Sequence, residues 1–496
     1  ATNTAVGTSA LNANTTGTSN VAVGFESLKT NTTGENNVAI GKYALFDNTT
    51  GGNNTAVGNS SLENNTTGYS NVALGTSALL ANTTAGENTA LGFRAMCSNT
   101  TGDCNTAVGK GSLDTNTEGT RNVAVGGEAL GANTTASFNN ALGYKALCSN
   151  TTGASNVSIG TCSMRINTTG ESNVAVGDKA LCANTTGYNN IAVGARAGCS
   201  NTEGANNVAI GQQSLKTNTT GASNIAIGRN SLEDNTTGSA NVAVGCGALA
   251  NNTTGADNVA MGISALLSNT AGTSNVAIGA TALDANTTGD NNTAVGRSSL
   301  GNNTTGCKNT AIGCTAMIAT TTGFCNVGIG LGALDSVTTG CCNTALGTFA
   351  MDNLTTGSNN IAIGRGAGAD GMANFSSSET NKIALGNNTS DTAYIKIDWT
   401  VTSDLRDKTN IETVPHGLNF VNQLNPIKYR FKKSRENDIA TGVTRYGFKA
   451  QEILALEGDN PVLINNSDEN ALKLTSAYLV PVLVNAIKEL KAEIEL

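Results

Sequence analysis

Aromatic residues make up only 4% of this 496-residue chain, with a single Trp among them. Large rings dominate thick globular cores, so a core of that kind is excluded. Charged residues are also scarce, at 13%, against about 25% in an ordinary soluble domain. With one His no His-built metal site can form. A net charge of −8 argues against nucleic-acid binding. No apolar run is long enough for a membrane-spanning helix. No Gly-X-Y period is present, which excludes collagen. At 39% hydrophobic and so little charge, the chain is nevertheless too apolar to be disordered. No clustered acid/base pair appears in the body of the chain, so neither a substrate enzyme nor a cofactor is expected.

The averages conceal a boundary. All four prolines (Pro415, Pro426, Pro461 and Pro481) and the only His, His416, lie after residue 403, and all twelve cysteines lie before residue 343. About 27% of residues 403–496 are charged, against about 10% of the first 402. Three segments are expected: a repeat shaft over 1–364, an irregular last rung and linker over 365–402, and a distinct domain over 403–496.

The motif Asn-x-Ala-x-Gly recurs every 17 residues in 22 copies, its Asn running from Asn3 to Asn360. A further copy, Asn381-Lys-Ile-Ala-Leu-Gly386, follows a four-residue insertion. Numbering each unit from its Asn, position 3 is Ala except at Ser158 and Gly328, position 4 is Val, Ile, Leu or Met, and position 9 is nearly always Leu or Met. Position 12 opens an Asn-Thr-Thr-Gly turn in most copies. Seventeen residues are too few for a helix pair but suit one coil of a parallel β-solenoid. Each unit reads as a short strand, a Gly turn, a weaker strand around the Ala-Leu pair and a polar turn. At ~4.8 Å per rung the shaft is on the order of 100 Å long. The Gly at position 5 fits a corner with positive φ or a close backbone approach. The Asn side chains of positions 1 and 12 are expected to bond between rungs. Alternation places positions 2 and 4 on one face and position 3 on the other. Positions 4 and 9 are assigned to the coil's thin core, and position 3 to a neighbouring chain close enough to admit only Ala. A core this thin calls for oligomerisation, and three chains with their Ala faces inward is the simplest closed arrangement. The fold class expected is all-β: a trimeric parallel β-solenoid shaft with a small α+β C-terminal domain.

The Asn-Val-Ala-Val-Gly or Asn-Val-Ala-Ile-Gly run followed by an Ala-Leu pair resembles the YadA-like head repeat of trimeric autotransporter adhesins. The resemblance covers residues 3–386 and implies a left-handed β-roll of three chains. The present unit is longer, with Asn-Thr-Thr in the added turn.

Two motifs inside the repeat have alternative readings. Asn-x-Thr at position 12, from Asn14 to Asn303, is either an N-glycosylation acceptor or an Asx-type turn laddered along the shaft. The cysteines are either disulfides or free thiols. Cys182 and Cys199 share a repeat position one rung apart, as do Cys325 and Cys342, which makes these the two candidate disulfides.

Beyond residue 402 the helical segment Leu483, Ile487, Leu490 and Ile494 shows the 4-3-4 spacing of a coiled-coil stripe. Residues 403–496 as a whole resemble the C-terminal intramolecular chaperone of phage tail fibres and tailspikes, the endosialidase type. The landmarks are Ser403-Asp404, Lys408, Ile411, Leu424-Asn-Pro-Ile-Lys-Tyr429, Gly447-Phe-Lys-Ala-Gln-Glu452 and Ala486-Ile-Lys-Glu-Leu490. The resemblance implies a domain that trimerises, drives folding of the fibre and then cuts itself off at Thr402–Ser403. Any catalysis is then at most a single-turnover Ser-Lys self-cleavage. Ser403 is the nucleophile and Lys408 its base, with Asp404 and Arg406 in support. Asp407 departs from the apolar residue often found there, and a carboxylate beside Lys408 would keep the amine charged and slow the cut.

These readings together suggest a homotrimeric, tail-fibre-like protein of the virion or extracellular space. Its partners would be its own copies and a host-surface receptor, glycan or protein, with no nucleic acid, metal, cofactor or membrane insertion. The alternatives are a bacterial trimeric surface adhesin, which needs a C-terminal membrane-anchor barrel not seen in this sequence, and a self-standing extracellular fibril.

Overall fold

The computed structural model describes residues 2–369, 375–387, 389–390, 403–434, 437–459, 461–466 and 472–495. The chain divides into two compact units, Ala1–Ile361 with Ser376–Lys382, and Ala362–Phe375 with Ile383–Leu496.

The first unit is a parallel β-solenoid with one three-residue strand per repeat, from β1 (Thr4–Val6) to β21 (Thr344–Leu346), and two more three-residue strands, β22 (Ile361–Ile363) and β23 (Ile383–Leu385), follow in the chain. Each strand pairs with its successor in parallel, shifted by one whole repeat: Thr4 faces Val21, Ala5 faces Ala22 and Val6 faces Val23. The same register holds at the far end, where Val327 faces Thr344 and Ile329 faces Leu346. The strand ends at the position 5 Gly, which turns the chain with φ near +135° (Gly7 at 133°, Gly24 at 140°). A Cβ on Gly7 would stand 2.4 Å from the Gly24 carbonyl oxygen. Both reasons for glycine, backbone conformation and close approach, therefore act at this corner.

The weaker strand expected around the Ala-Leu pair does not form; that segment is a run of turns. Two of its residues are left-handed in nearly every rung, as with Glu26 (φ 54°) and Leu28 (φ 52°). Holding a leucine there costs roughly 1–2 kcal/mol. Burying its side chain contributes about 1.5–3 kcal/mol, and Leu28 N–H also donates to Ala44 O on the next rung at 2.9 Å. Burial outweighs the backbone cost, so the turn persists through the stack.

The solenoid's interior is made by position 3 Ala, position 8 Ala or Ser, and position 9 Leu or Met. Ala175, Ala180 and Met164 are fully buried. This corrects the face assignment from sequence. Position 3 alanines line their own chain's core, and position 4 points outward, with Ile40, Leu74 and Ile278 all exposed. The reason is space. Across the coil, position 3 meets the position 9 side chain of the preceding rung, and a Cβ on Gly328 would lie only 2.9 Å from Met317 Cγ. A larger residue at position 3 has no room. The polar exception Ser158 is satisfied inside the core, donating to Ser163 O at 3.0 Å.

Two columns of buried asparagine complete each turn. At position 1, Asn37 N–H donates to Asn20 Oδ1 at 2.9 Å, and its Nδ2 donates to Gly51 O at 2.9 Å. At position 12, Asn48 Nδ2 donates to Asn31 Oδ1 at 2.8 Å and to Gly51 O at 2.9 Å. Thr49 Oγ1 donates onward to Thr66 O at 3.0 Å. Up to Asn286 of the position 12 column, an interior with little apolar area is thus closed by amides bonded from rung to rung, the condition under which buried polar groups stabilise rather than cost.

In the second unit, β24 (Ile427–Ser434) and β25 (Asn437–Gly447) form an antiparallel hairpin, and β26 (Ile464–Asn465) pairs with β27 (Lys473–Leu474). Three helices accompany them: α1 (Leu418–Gln423), α2 (Ala450–Glu457) and α3 (Leu479–Ile494). Phe420, Ile453, Leu463, Ile464, Leu479 and Val482 form the core. The Glu457 carboxylate accepts from the backbone N–H groups of Val462, Leu463 and Ile464 at 2.9, 2.7 and 3.0 Å, fixing the approach to β26. Helix α3 is tied to the start of α1 by Glu489, which accepts from Leu418 N–H at 2.6 Å, and by Asn485 Nδ2, which donates to His416 O at 3.0 Å.

Candidate assembly and self-processing site

The outward side of the solenoid strands is made by positions 2 and 4. Position 2 is Val, Ile, Thr or, once, Asn140; position 4 is Val, Ile, Leu or Met. Neither carries a charge in any copy. Val72, Leu74, Ile191, Val193, Ile225 and Ile227 are among the exposed members. A continuous uncharged and largely apolar ladder beside solvent is uncommon on a monomeric surface. Sequence reasoning put these residues inside. The signal that identifies the ladder is the lack of charge at two alternating positions, which by itself fits an inner or an outer face equally.

At the start of the C-terminal domain, Lys408 Nζ donates to Ser403 Oγ at 2.8 Å. The two are joined by a 3₁₀ turn, Leu405–Asp407, capped by Asp404, whose carboxylate accepts from Arg406 N–H at 2.9 Å. Arg406 Nε also donates to both Asp404 carboxylate oxygens, at 3.1 Å each. The Arg406 hydrogen bonds hold the Asp404 carboxyl below the usual carboxylate range. In this chain Arg406 is thus engaged by Asp404 and supports the turn. Ser403 and Lys408 are both exposed. Thr402 and the Asp407 side chain lie outside the described residues.

The α3 stripe is exposed as well, with Leu483, Ile487, Leu490 and Ile494 between 42% and 75% accessible. These residues lie outside the domain's own core, which takes Leu479 and Val482 from the first turn of the helix.

All twelve cysteines are free thiols. Cys182 and Cys199 share a hydrogen bond between side chains, which together with Arg165 and Lys179 pulls the Cys182 thiol down to about 6 against the opposing effect of burial. The same hydrogen bond, with burial, pushes the Cys199 thiol up. Cys325 and Cys342 are both exposed. From Asn31 to Asn303 the asparagines of the Asn-x-Thr motif are closed to solvent, as at Asn31, Asn184 and Asn286. Both amide protons of Asn184 are spent, on Asn167 Oδ1 at 2.7 Å and Gly187 O at 2.9 Å. The turn-ladder reading of the motif therefore holds over the glycan reading. Among the described residues no group of three or more His, Cys, Asp or Glu is arranged to hold a metal ion.

No curated protein matches the chain. Residues 403–460 match the family described as chaperone of endosialidase. A parallel β-solenoid body followed by a chaperone-of-endosialidase segment fits a tail-fibre-like fibre protein.

Proposed function

We propose that the protein is the shaft of a homotrimeric tail fibre that attaches to a host surface, assembled by its C-terminal domain. The observation that carries this reading is the uncharged outward ladder of positions 2 and 4. Three copies set face to face would bury it along every rung. The exposed α3 stripe would be covered in the same assembly as a short coiled coil. The site of action would be the virion or the extracellular space, and the partners the protein's own copies and a host receptor.

A register argument joins the two halves. Successive rungs are nearly identical, so three chains displaced by one rung would lose little contact. Alignment must come from an element that occurs once per chain, and residues 403–496 supply it. With three copies aligned, Ser403 Oγ would attack the Thr402 carbonyl, its proton passing to a neutral Lys408 amine. The Thr402–Ser403 C–N bond would break to leave an ester and a free Ser403 amine, and water would then open the ester. Release of the domain would leave the shaft kinetically trapped. Light scattering on the purified full chain tests the assembly: three times 49.9 kDa is expected, and a monomer at micromolar concentration overturns it.

A further inference from the structure

The position 10 column changes character midway along the shaft. On successive rungs it reads Cys148, Arg165, Cys182, Cys199 and Lys216. Backbone bonds hold the middle two side by side: Leu181 N–H donates to Ala197 O and Ala183 N–H to Cys199 O, both at 2.9 Å. The two thiols stand in one column on adjacent rungs, and Arg165 occupies the same column one rung before Cys182, where its positive charge draws the Cys182 thiol down. Lys179 and Arg196, each three residues before one of the cysteines, add further positive charge. Lys216, one rung beyond Cys199, is paired with Glu233 at 2.9 Å.

Other cysteines of the shaft have different surroundings. Cys97 is half-buried with Asp114 of the next rung beside it, and both effects push its thiol up. Cys104 donates to Glu87 Oε2 at 3.2 Å and is pushed up in turn. Cys148 shares basic neighbours, Arg165 and Lys145, but burial outweighs them and pushes its thiol up, and neither adjacent rung carries a cysteine in its column, Gly131 and Arg165 standing there. The side-chain charges acting on the Cys182–Cys199 pair are basic, which is the setting that makes a thiol nucleophilic.

We propose that Cys182 and Cys199 form a reactive dithiol, a modification site at which Cys182 attacks low-molecular-weight disulfides and Cys199 resolves the adduct. The Cys182 thiolate attacks one sulfur of RS–SR. The S–S bond breaks, RS⁻ leaves and takes a proton, and Cys182 is left in a mixed disulfide. Cys199 then gives up its proton and attacks Cys182 Sγ, expelling the second RS⁻, which is also protonated. Two protein thiols are oxidised to one disulfide and RS–SR is reduced to two RSH. Closure is geometrically accessible: stacked rungs place the two Cα atoms about 4.8 Å apart, inside the range of about 4.4–6.8 Å that a disulfide spans. The product is a covalent staple between consecutive turns in mid-shaft, formed only when the surroundings are oxidising.

The test exposes reduced full-length protein to glutathione disulfide at pH 7, with acid quenching and peptide mass mapping. Wild type is expected to yield a Cys182–Cys199 cross-link without retained glutathione. Cys199→Ser, which keeps a hydrogen-bond donor, is expected to retain glutathione on Cys182. Arg165→Ala should slow capture by about tenfold, the effect of one pH unit on thiolate fraction, and the two rates should converge near pH 9. Position 10 carries Asp114, Gly131 and Ala250 on other rungs, so these variants are expected to fold, and circular dichroism verifies it. Retention of glutathione on Cys148 as fast as on Cys182, capture at Cys199 in wild type, or an unchanged rate in Arg165→Ala overturns the proposal.

Discussion

Lys408 Nζ and Ser403 Oγ are 2.8 Å apart across one short turn, and Asp404 caps that turn while occupying Arg406. A hydroxyl and an amine in contact are the minimum for a Ser-Lys acyl transfer. Ser403→Ala is expected to abolish any cut at Thr402–Ser403 and leave assembly unchanged, because the hydroxyl packs against nothing in the domain core. Lys408→Met should likewise stop the cut, and Asp407→Leu should accelerate it. Denaturing gels of freshly purified protein over a time course measure all three. A cut that persists in Ser403→Ala removes Ser403 as nucleophile.

The inner and outer faces of one rung separate folding from assembly. Leu283 is fully buried, whereas Ile278, on the strand of the same rung, is exposed. Leu283→Ala should destabilise the solenoid by about 2–3 kcal/mol, the low end for a buried leucine, because few large side chains surround it. Ile278→Glu should leave each coil intact by circular dichroism yet shift the particle from trimer towards monomer in light scattering. An Ile278→Glu variant that unfolds the coil would mean that position 4 is structural within a single chain.

The period, the corner glycines, the parallel stack and the asparagine columns were legible in the sequence, because each depends on spacing alone. The parity of the strand was not. A three-residue strand offers one residue to one face and two to the other, and Ala175 between Val174 and Val176 fits either a tight chain interface or a tight core. What decides is the position 9 side chain of the preceding rung, brought inward by a left-handed backbone, as at Leu28. A β-branched or leucine-like residue does not announce positive φ, so the second strand was expected where a turn exists. At the candidate site, the Ser403–Lys408 contact was legible through the surrounding landmarks. The pairing of Arg406 with Asp404 was not, since a residue two places away can face either side of a 3₁₀ turn.

Helix α3 makes a distinct prediction about alignment. Its exposed stripe, with Ile487 65% and Ile494 75% accessible, has no role in the domain core. Ile487→Asp is expected to preserve the helix but produce shafts of irregular register, visible as ragged lengths in negative-stain images. Deleting 403–496 from the gene should do the same or yield insoluble chains. Regular trimers from the truncated gene would show that the shaft aligns itself, and residues 403–496 would then be better read as a structural tip.

The position 12 column ends abruptly, and its end can be moved. Asn303 Nδ2 donates to Asn286 Oδ1 at 2.8 Å and to Gly306 O at 3.0 Å, but its own Oδ1 is buried without a partner, as is Thr320 Oγ1 on the next rung. Position 12 then becomes Val337 and Leu354, both buried. Thr320→Asn would place an amide where Asn303 Oδ1 needs a donor and would reach the Gly323 carbonyl in the manner of every earlier rung. It removes two unpartnered atoms and creates one, the new Oδ1 facing Val337. Each buried polar group left unpaired costs about 1–3 kcal/mol, so the net change should stabilise the shaft by about 1–2 kcal/mol. Asn303→Ala, in contrast, strips the acceptor from Thr320's side but also orphans Asn286 Oδ1, and should destabilise. Guanidinium denaturation of the two variants beside wild type reads both signs. A Thr320→Asn protein no more stable than its parent would mean that the column's end is already satisfied, for instance by a bound water.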